Sequence, residues 1–117
     1  MLPAVQLFVY GSLKSGYENA HLLARASYLG AARTAPGYRL VRYRDGYPGL
    51  VAVGGATESV AGELYAVDEG LLAELDVFED CPTLYQRVVI QLGDGRSAEA
   101  YVVSPESESS WPVLEGY

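Results

Sequence analysis

Short strand-like runs broken by turn residues fill most of this chain, and they restrict its fold more than any other feature. Residues 5–10, 27–34, 38–43, 50–53, 60–67, 85–92 and 98–103 are apolar or alternate between apolar and polar. Alternation marks strands with one buried face, and the continuous Leu7-Phe8-Val9 run marks a strand buried on both. Pro36-Gly37, Asp45-Gly46, Gly54-Gly55 and Gly93-Asp94-Gly95 punctuate these runs, the last as a hairpin loop. Helical signals are few. Residues 17–25 read as a short helix with Leu22 and Leu23 facing inward. Residues 69 to 78 or 79 read as a second, with Asp68 as its N-cap and Asp80-Cys81-Pro82 as its stop. Strands and helices do not alternate regularly, so the fold class is α+β. The expected architecture is a compact mixed β-barrel of about six short strands with two short helices, in one domain spanning 1–117. Residues 104–117 form a polar C-terminal tail that Trp111, Val113, Leu114 and Tyr117 dock back onto the body.

Composition narrows the function. Eight basic and fifteen acidic residues give a net charge of −7, which argues against a nucleic-acid partner. No apolar run is long enough to span a membrane, and Met1-Leu2-Pro3-Ala4 does not open a signal peptide, so a cytoplasmic protein is expected. One Cys excludes an intrachain disulfide, and one His with one Cys cannot build a His/Cys zinc site. No metal and no cofactor are expected. Ten tyrosines stand against two phenylalanines, and tyrosine suits the wall of a polar pocket as well as a strand surface.

The second helix carries an anomaly. At about 100° per residue, Leu71, Leu72, Leu75 and Phe78 share one stripe, and Glu79 falls on it while Glu74, Asp76 and Asp80 fall off. A carboxylate aimed at the core is costly unless it is paired or protonated. Burial raises its pKa, and the negative end of the helix dipole pushes the same way. Glu79 is therefore either a general acid/base in a pocket, the partner of Arg87, or a frayed last-turn residue in solvent. Other candidates are weaker. His21 has no Ser or Cys nearby, Cys81 follows a helix C-terminus that disfavours thiolate, and Ser12 lacks the strand-to-helix setting of a nucleophile elbow. The break from strand to Tyr10-Gly11-Ser12 can turn backbone N–H groups toward an anion.

Two stretches, Phe8-Val9-Tyr10-Gly11-Ser12-Leu13-Lys14 and Leu75-Asp76-Val77-Phe78-Glu79-Asp80-Cys81-Pro82-Thr83-Leu84-Tyr85-Gln86-Arg87, together resemble the gamma-glutamylcyclotransferase-like (AIG2-like) family, in particular its members that act on gamma-glutamyl amines. Gly62-Glu63-Leu64-Tyr65-Ala66-Val67-Asp68 also matches, and the similarity runs from about Val5 to Val103. The resemblance implies a mixed barrel with a cavity between a substrate loop (Tyr10, Gly11, Ser12, Leu13) and a catalytic Glu79. Tyr85, with Tyr101, would be a wall. It implies a small gamma-glutamyl amine or dipeptide as substrate, whose own α-amine attacks its side-chain carbonyl to give 5-oxoproline and a free amine. The same chemistry on a gamma-glutamyl-protected biosynthetic intermediate is a rival. A non-catalytic module binding an amino-acid-like ligand and an acid-faced interaction protein are rivals of other classes. Arg87 could orient a substrate carboxylate or pair with an acidic neighbour, and the structural pairing is the one expected. Oligomeric state and leaving group are left open.

Overall fold

The computed structural model describes residues 4–104 and 111–114, with Asp45 described by its backbone alone. Seven strands are present: β1 (Val5–Val9), β2 (Ser27–Arg33), β3 (Tyr38–Arg42), β4 (Pro48–Ala52), β5 (Ala61–Val67), β6 (Tyr85–Gln91) and β7 (Ser97–Val103). One α-helix, α1 (Glu69–Phe78), lies between β5 and β6. No helix among the described residues is long and apolar enough to cross a membrane.

The strands form one mixed sheet in the order β2-β5-β1-β7-β4-β3, with β6 paired to β7. β1 is antiparallel to β5, from Val5↔Val67 to Val9↔Glu63. β7 is antiparallel to β6 along its whole length, from Tyr85↔Val103 to Gln91↔Ser97. Its other edge is shared: Glu99 pairs in parallel with Leu7 of β1, and Val102 with Leu50 of β4.

That sharing corrects the barrel expectation. A strand that gives half an edge to each of two partners splits the sheet, which therefore curls without closing. Among the described residues the ends of β2 and β6 meet at the bridge Thr34↔Leu92. There the Ala35 N–H donates to the Gln91 carbonyl and the Gly93 N–H to the Arg33 carbonyl, both at 2.9 Å. The seven strands among the described residues fall at the seven runs read from the sequence.

β1 divides the core. Successive side chains of a strand point to opposite faces. Leu7 and Val9 pack with Leu71, Leu72 and Leu75 of α1, whereas Phe8 packs on the other face with Leu50, Leu64 and Ile90. Leu7 and Phe8 are both fully buried, as the uninterrupted apolar run requires.

The helix expected over 17–25 is reduced to a 3-10 turn, Ala20–Leu23, in which only Leu23 is buried. Asn19 makes no side-chain cap, and its amide nitrogen donates to Ser12 Oγ at 2.8 Å. An uncapped segment this short does not propagate as an α-helix. Phe78 also departs from the inward stripe and is 46% exposed. α1 is otherwise built as its sequence indicates, with Asp68 Oδ1 accepting from the Leu71 N–H at 2.8 Å and the Gly93–Gly95 turn joining β6 to β7.

Of the C-terminal segment, the Trp111 ring packs edge-on against Tyr43 with centroids 4.9 Å apart, and Val113 bridges to Val41. Ser104, expected to open a loose polar segment over 104–110, is instead fully buried, with its N–H donating to the Leu84 carbonyl at 3.0 Å; the rest of that segment and the docking of Tyr117 lie outside the described residues.

Candidate active site

β1 and α1 finish at the same level, and this brings the site together. β5 runs down against β1, so Val67 lies beside Val5 and α1 starts at the foot of β1. Ten helical residues rise about 15 Å, and five strand residues about 17 Å. With the buried face of α1 packed on Leu7 and Val9, the helix end returns to the level of Tyr10.

Tyr10 is buried and anchors the strand end. Its phenol donates to the Tyr101 carbonyl and accepts from the Leu50 N–H at 3.2 Å. Burial, with Tyr85 and Glu79 nearby, pushes its pKa well above the ordinary value, so the phenol stays neutral. The chain then turns. The Lys14 N–H donates to the Gly11 carbonyl and the Asn19 N–H to the Ser12 carbonyl, each at 3.0 Å. Gly11 is required by close approach, since a Cβ there would lie 2.8 Å from Pro48 Cγ. Among the described residues, no backbone group or side chain accepts from the N–H of Ser12 or Leu13, and both residues line the cavity. The Ser12 hydroxyl accepts from the Asn19 amide and has no base beside it among the described residues, while His21 is exposed on the 3-10 turn.

Glu79 caps the C-terminus of α1, with its N–H donating to the Leu75 carbonyl at 2.8 Å. Asp80, at φ 54°, reverses the chain, and the Cys81 N–H returns to the Asp76 carbonyl at 3.0 Å. Among the described residues nothing forms an ion pair with Glu79. Burial pushes its carboxyl up to about 7. Arg87 is committed elsewhere. Its guanidinium donates to both oxygens of Asp76, at 2.9 and 3.1 Å, and pairs with Glu99. The Tyr101 hydroxyl donates to the same Asp76 at 2.7 Å, and these bonds, led by Arg87, hold the Asp76 carboxyl below the usual carboxylate range. Arg87 thus pairs with acidic neighbours, as expected, and does not neutralise Glu79. Burial pushes the Cys81 thiol up to about 11, which leaves it a poor nucleophile.

A cavity of about 340 Å³ lies between the two ends. Tyr10, Gly11, Ser12, Leu13, Glu79 and Tyr85 all line it. The volume is within the range of small-ligand pockets. Five tyrosines, Tyr10, Tyr43, Tyr47, Tyr85 and Tyr101, form much of its wall, which gives the tyrosine-rich composition a place. Tyr43 and Tyr47 were not legible as site residues. They come from the turn joining β3 to β4, which reads locally as an ordinary Asp-Gly turn. That turn is well anchored. The Tyr43 hydroxyl donates to the Leu84 carbonyl at 2.8 Å, and its ring sits between Tyr85 and Trp111. The Tyr85 hydroxyl donates to the Pro48 carbonyl at 2.9 Å. No group of three or more His, Cys, Asp or Glu among the described residues is placed to hold a metal ion.

One acid, tyrosine hydroxyls and a backbone turn can bind and deprotonate an amino-acid-like ligand. Comparison with known proteins agrees in kind. Residues 7–116 match the family model described as gamma-glutamyl cyclotransferase, AIG2-like. The chain is 44% identical over 116 residues to the gamma-glutamylaminecyclotransferase A of Danio rerio, covering 89% of this chain and 72% of that one. It is 41% identical over 128 residues to gamma-glutamylaminecyclotransferase C of the same fish, covering 95% and 84%. Among solved structures, an AIG2-like protein from Mus musculus superposes with a TM-score of 0.78 at 30% identity, covering 98% of this chain and 88% of that one. The chain belongs to the AIG2-like gamma-glutamyl cyclotransferase family.

Proposed function

We propose that this protein cyclises gamma-glutamyl amines, releasing 5-oxoproline and the free amine, with Glu79 as general acid/base. The observation that carries the reading is a partly buried carboxyl, with no ion-pair partner among the described residues, facing the Tyr10–Leu13 turn across one cavity. A base with a pKa near neutrality is what the first step needs. Glu79 takes a proton from the substrate α-ammonium. The freed amine attacks the substrate's own side-chain carbonyl carbon, forming the ring C–N bond and a tetrahedral oxyanion. Backbone N–H groups of the Ser12–Leu13 turn stabilise negative charge on the substrate. The intermediate collapses and the exocyclic C–N bond breaks as the proton held by Glu79 goes to the departing amine; the second proton on the new ring nitrogen then passes through the freed Glu79 carboxylate to that amine, which leaves as an ammonium. Holding the substrate folded supplies the proximity contribution. The nucleophile belongs to the substrate, consistent with the hydrogen-bonded Ser12 hydroxyl and the protonated Cys81 thiol.

The test is 5-oxoproline release from a panel of gamma-glutamyl amines. Glu79→Gln is expected to keep the fold and lower kcat by at least about a hundredfold, the usual scale of general acid/base catalysis. Ser12→Ala is expected to cost far less, because the backbone N–H remains. Near-wild-type turnover by Glu79→Gln refutes the mechanism, and the reverse order of the two variants makes Ser12 the nucleophile. A non-catalytic binding module would retain 5-oxoproline or glutamate without turning over any member of the panel.

A further inference from the structure

We infer that Arg44 selects the leaving group, favouring gamma-glutamyl amides whose amine carries an anionic group, such as a carboxylate. The inference rests on the cyclotransferase reading and identifies a substrate class within it. Only two charged side chains line the cavity among the described residues, Glu79 and Arg44. Glu79 is accounted for by proton transfer. Arg44 is a cation in a chain of net charge −7, yet it has no ion-pair partner among the described residues. Its guanidinium lies 6.0 Å from the centroid of the Tyr43 ring.

The position of the turn decides which end of the substrate Arg44 meets. Tyr43 at its start is tied to the Leu84 carbonyl, just beyond the Glu79 turn. Pro48 at its end lies against Gly11. The turn therefore bridges the Glu79 wall and the substrate loop. Tyr10 and Leu13 are buried at the head-group end, whereas Arg44 is exposed, Tyr47 is 40% exposed and Phe78 46%. A head group gripped by the buried loop, with its carbonyl at Glu79, sends its amide substituent out past Phe78, Tyr47 and Arg44. Two aromatic rings flank the stem of that substituent, and the guanidinium fork suits a carboxylate at its end.

The experiment compares gamma-glutamylglycine with gamma-glutamylmethylamide, which differ by one carboxylate on the leaving amine. Both are assayed by 5-oxoproline release with wild type, Arg44→Gln and Arg44→Glu. One charge-assisted contact at an exposed site predicts about a fivefold kcat/KM preference of the wild type for gamma-glutamylglycine. That preference should shrink as salt is raised. Arg44→Gln brings the ratio close to one. Arg44→Glu moves it below one and favours the gamma-glutamyl amide of ethylenediamine, whose free amine is cationic. An equal rate on both substrates in the wild type, or a ratio that survives Arg44→Gln, overturns the inference and leaves the cyclotransferase reading standing. Equal losses on both substrates in Arg44→Gln also overturn it, since they assign Arg44 to the substrate α-carboxylate. Absence of 5-oxoproline from every substrate overturns the cyclotransferase reading itself, and this inference with it.

Discussion

Replacing Glu79 by Gln should stabilise the protein above neutral pH while removing its activity. The folded protein holds the Glu79 proton up to about pH 7, whereas the unfolded chain releases it near the ordinary value of 4.5. Between those values the folded state binds more protons, so wild-type stability falls as pH rises through the window. A rise from 4.5 to about 7, at about 1.4 kcal/mol per pH unit, sets an upper bound of about 3.5 kcal/mol on this loss. Gln resembles the protonated acid in shape and does not titrate. Urea unfolding of both proteins should give nearly equal stabilities near pH 4, a gap opening through pH 5–7, and a plateau favouring Glu79→Gln above about pH 8. Asp76, whose carboxyl is held low by Arg87, contributes a slope of opposite sign at acid pH, but it does so in both proteins and cancels from the difference. Wild-type kcat/KM should rise with pH through about 7 as the base is released. A stability difference that stays flat with pH, or a variant less stable than wild type at pH 8, refutes the claim that Glu79 is a partly buried carboxyl without an ion-pair partner among the described residues.

Two further substitutions probe the surroundings. Gly11→Ala puts a methyl group 2.8 Å from Pro48 Cγ, a ring that cannot swing away, so the turn must shift. About 1–3 kcal/mol of stability should be lost, with KM for a gamma-glutamyl amide rising about tenfold if the turn grips the head group; an unchanged KM contradicts that role. Arg87→Ala leaves the Asp76 and Glu99 carboxylates, each about 30% exposed or less, without their shared cation. Partial solvent screening reduces the cost of breaking such a pair to about 2 kcal/mol. Urea unfolding should show that loss at pH 7 and a smaller one at pH 4, where a carboxylate whose folded pKa is depressed gives up its stabilisation.

Local chemistry made the site legible in part. Leu7-Phe8-Val9 announced a strand buried on both faces because an unbroken apolar run needs two cores. Glu79 stood out because three buried leucines defined a stripe and the carboxylate fell on it. Arg87 was legible only as a choice between partners, since Asp76 and Glu79 are three residues apart and differ in which side of the helix they occupy. The open sheet was not legible. Whether β7 shares its edge between β1 and β4 depends on pairings between residues far apart in the chain, Leu7↔Glu99 and Leu50↔Val102. Phe78 shows the limit of periodicity, because a stripe states which face points inward but not where the core ends. The helix expected at 17–25 is only a 3-10 turn, short and without a side-chain cap, which a local sequence pattern does not reveal. The cavity's outer wall was hidden for a related reason: Tyr43, Arg44 and Tyr47 belong to a turn whose functional position is set by Leu84 and Trp111, far away in the chain.

The proposed acid/base depends on helix length as much as on residue type. β1 and α1 begin at one level and climb nearly equal heights, so the last helical turn and the first residues after the strand meet without an intervening loop. Burial at that junction raises the Glu79 pKa, and the helix C-terminus acts in the same direction. One residue fewer in α1 would rotate position 79 by about 100° and lower it by about 1.5 Å. It would then leave the apolar stripe, and a solvated carboxylate there would be a much weaker base at neutral pH. The same turn of helix that makes Glu79 costly to the fold is therefore what suits it to move a proton near neutrality.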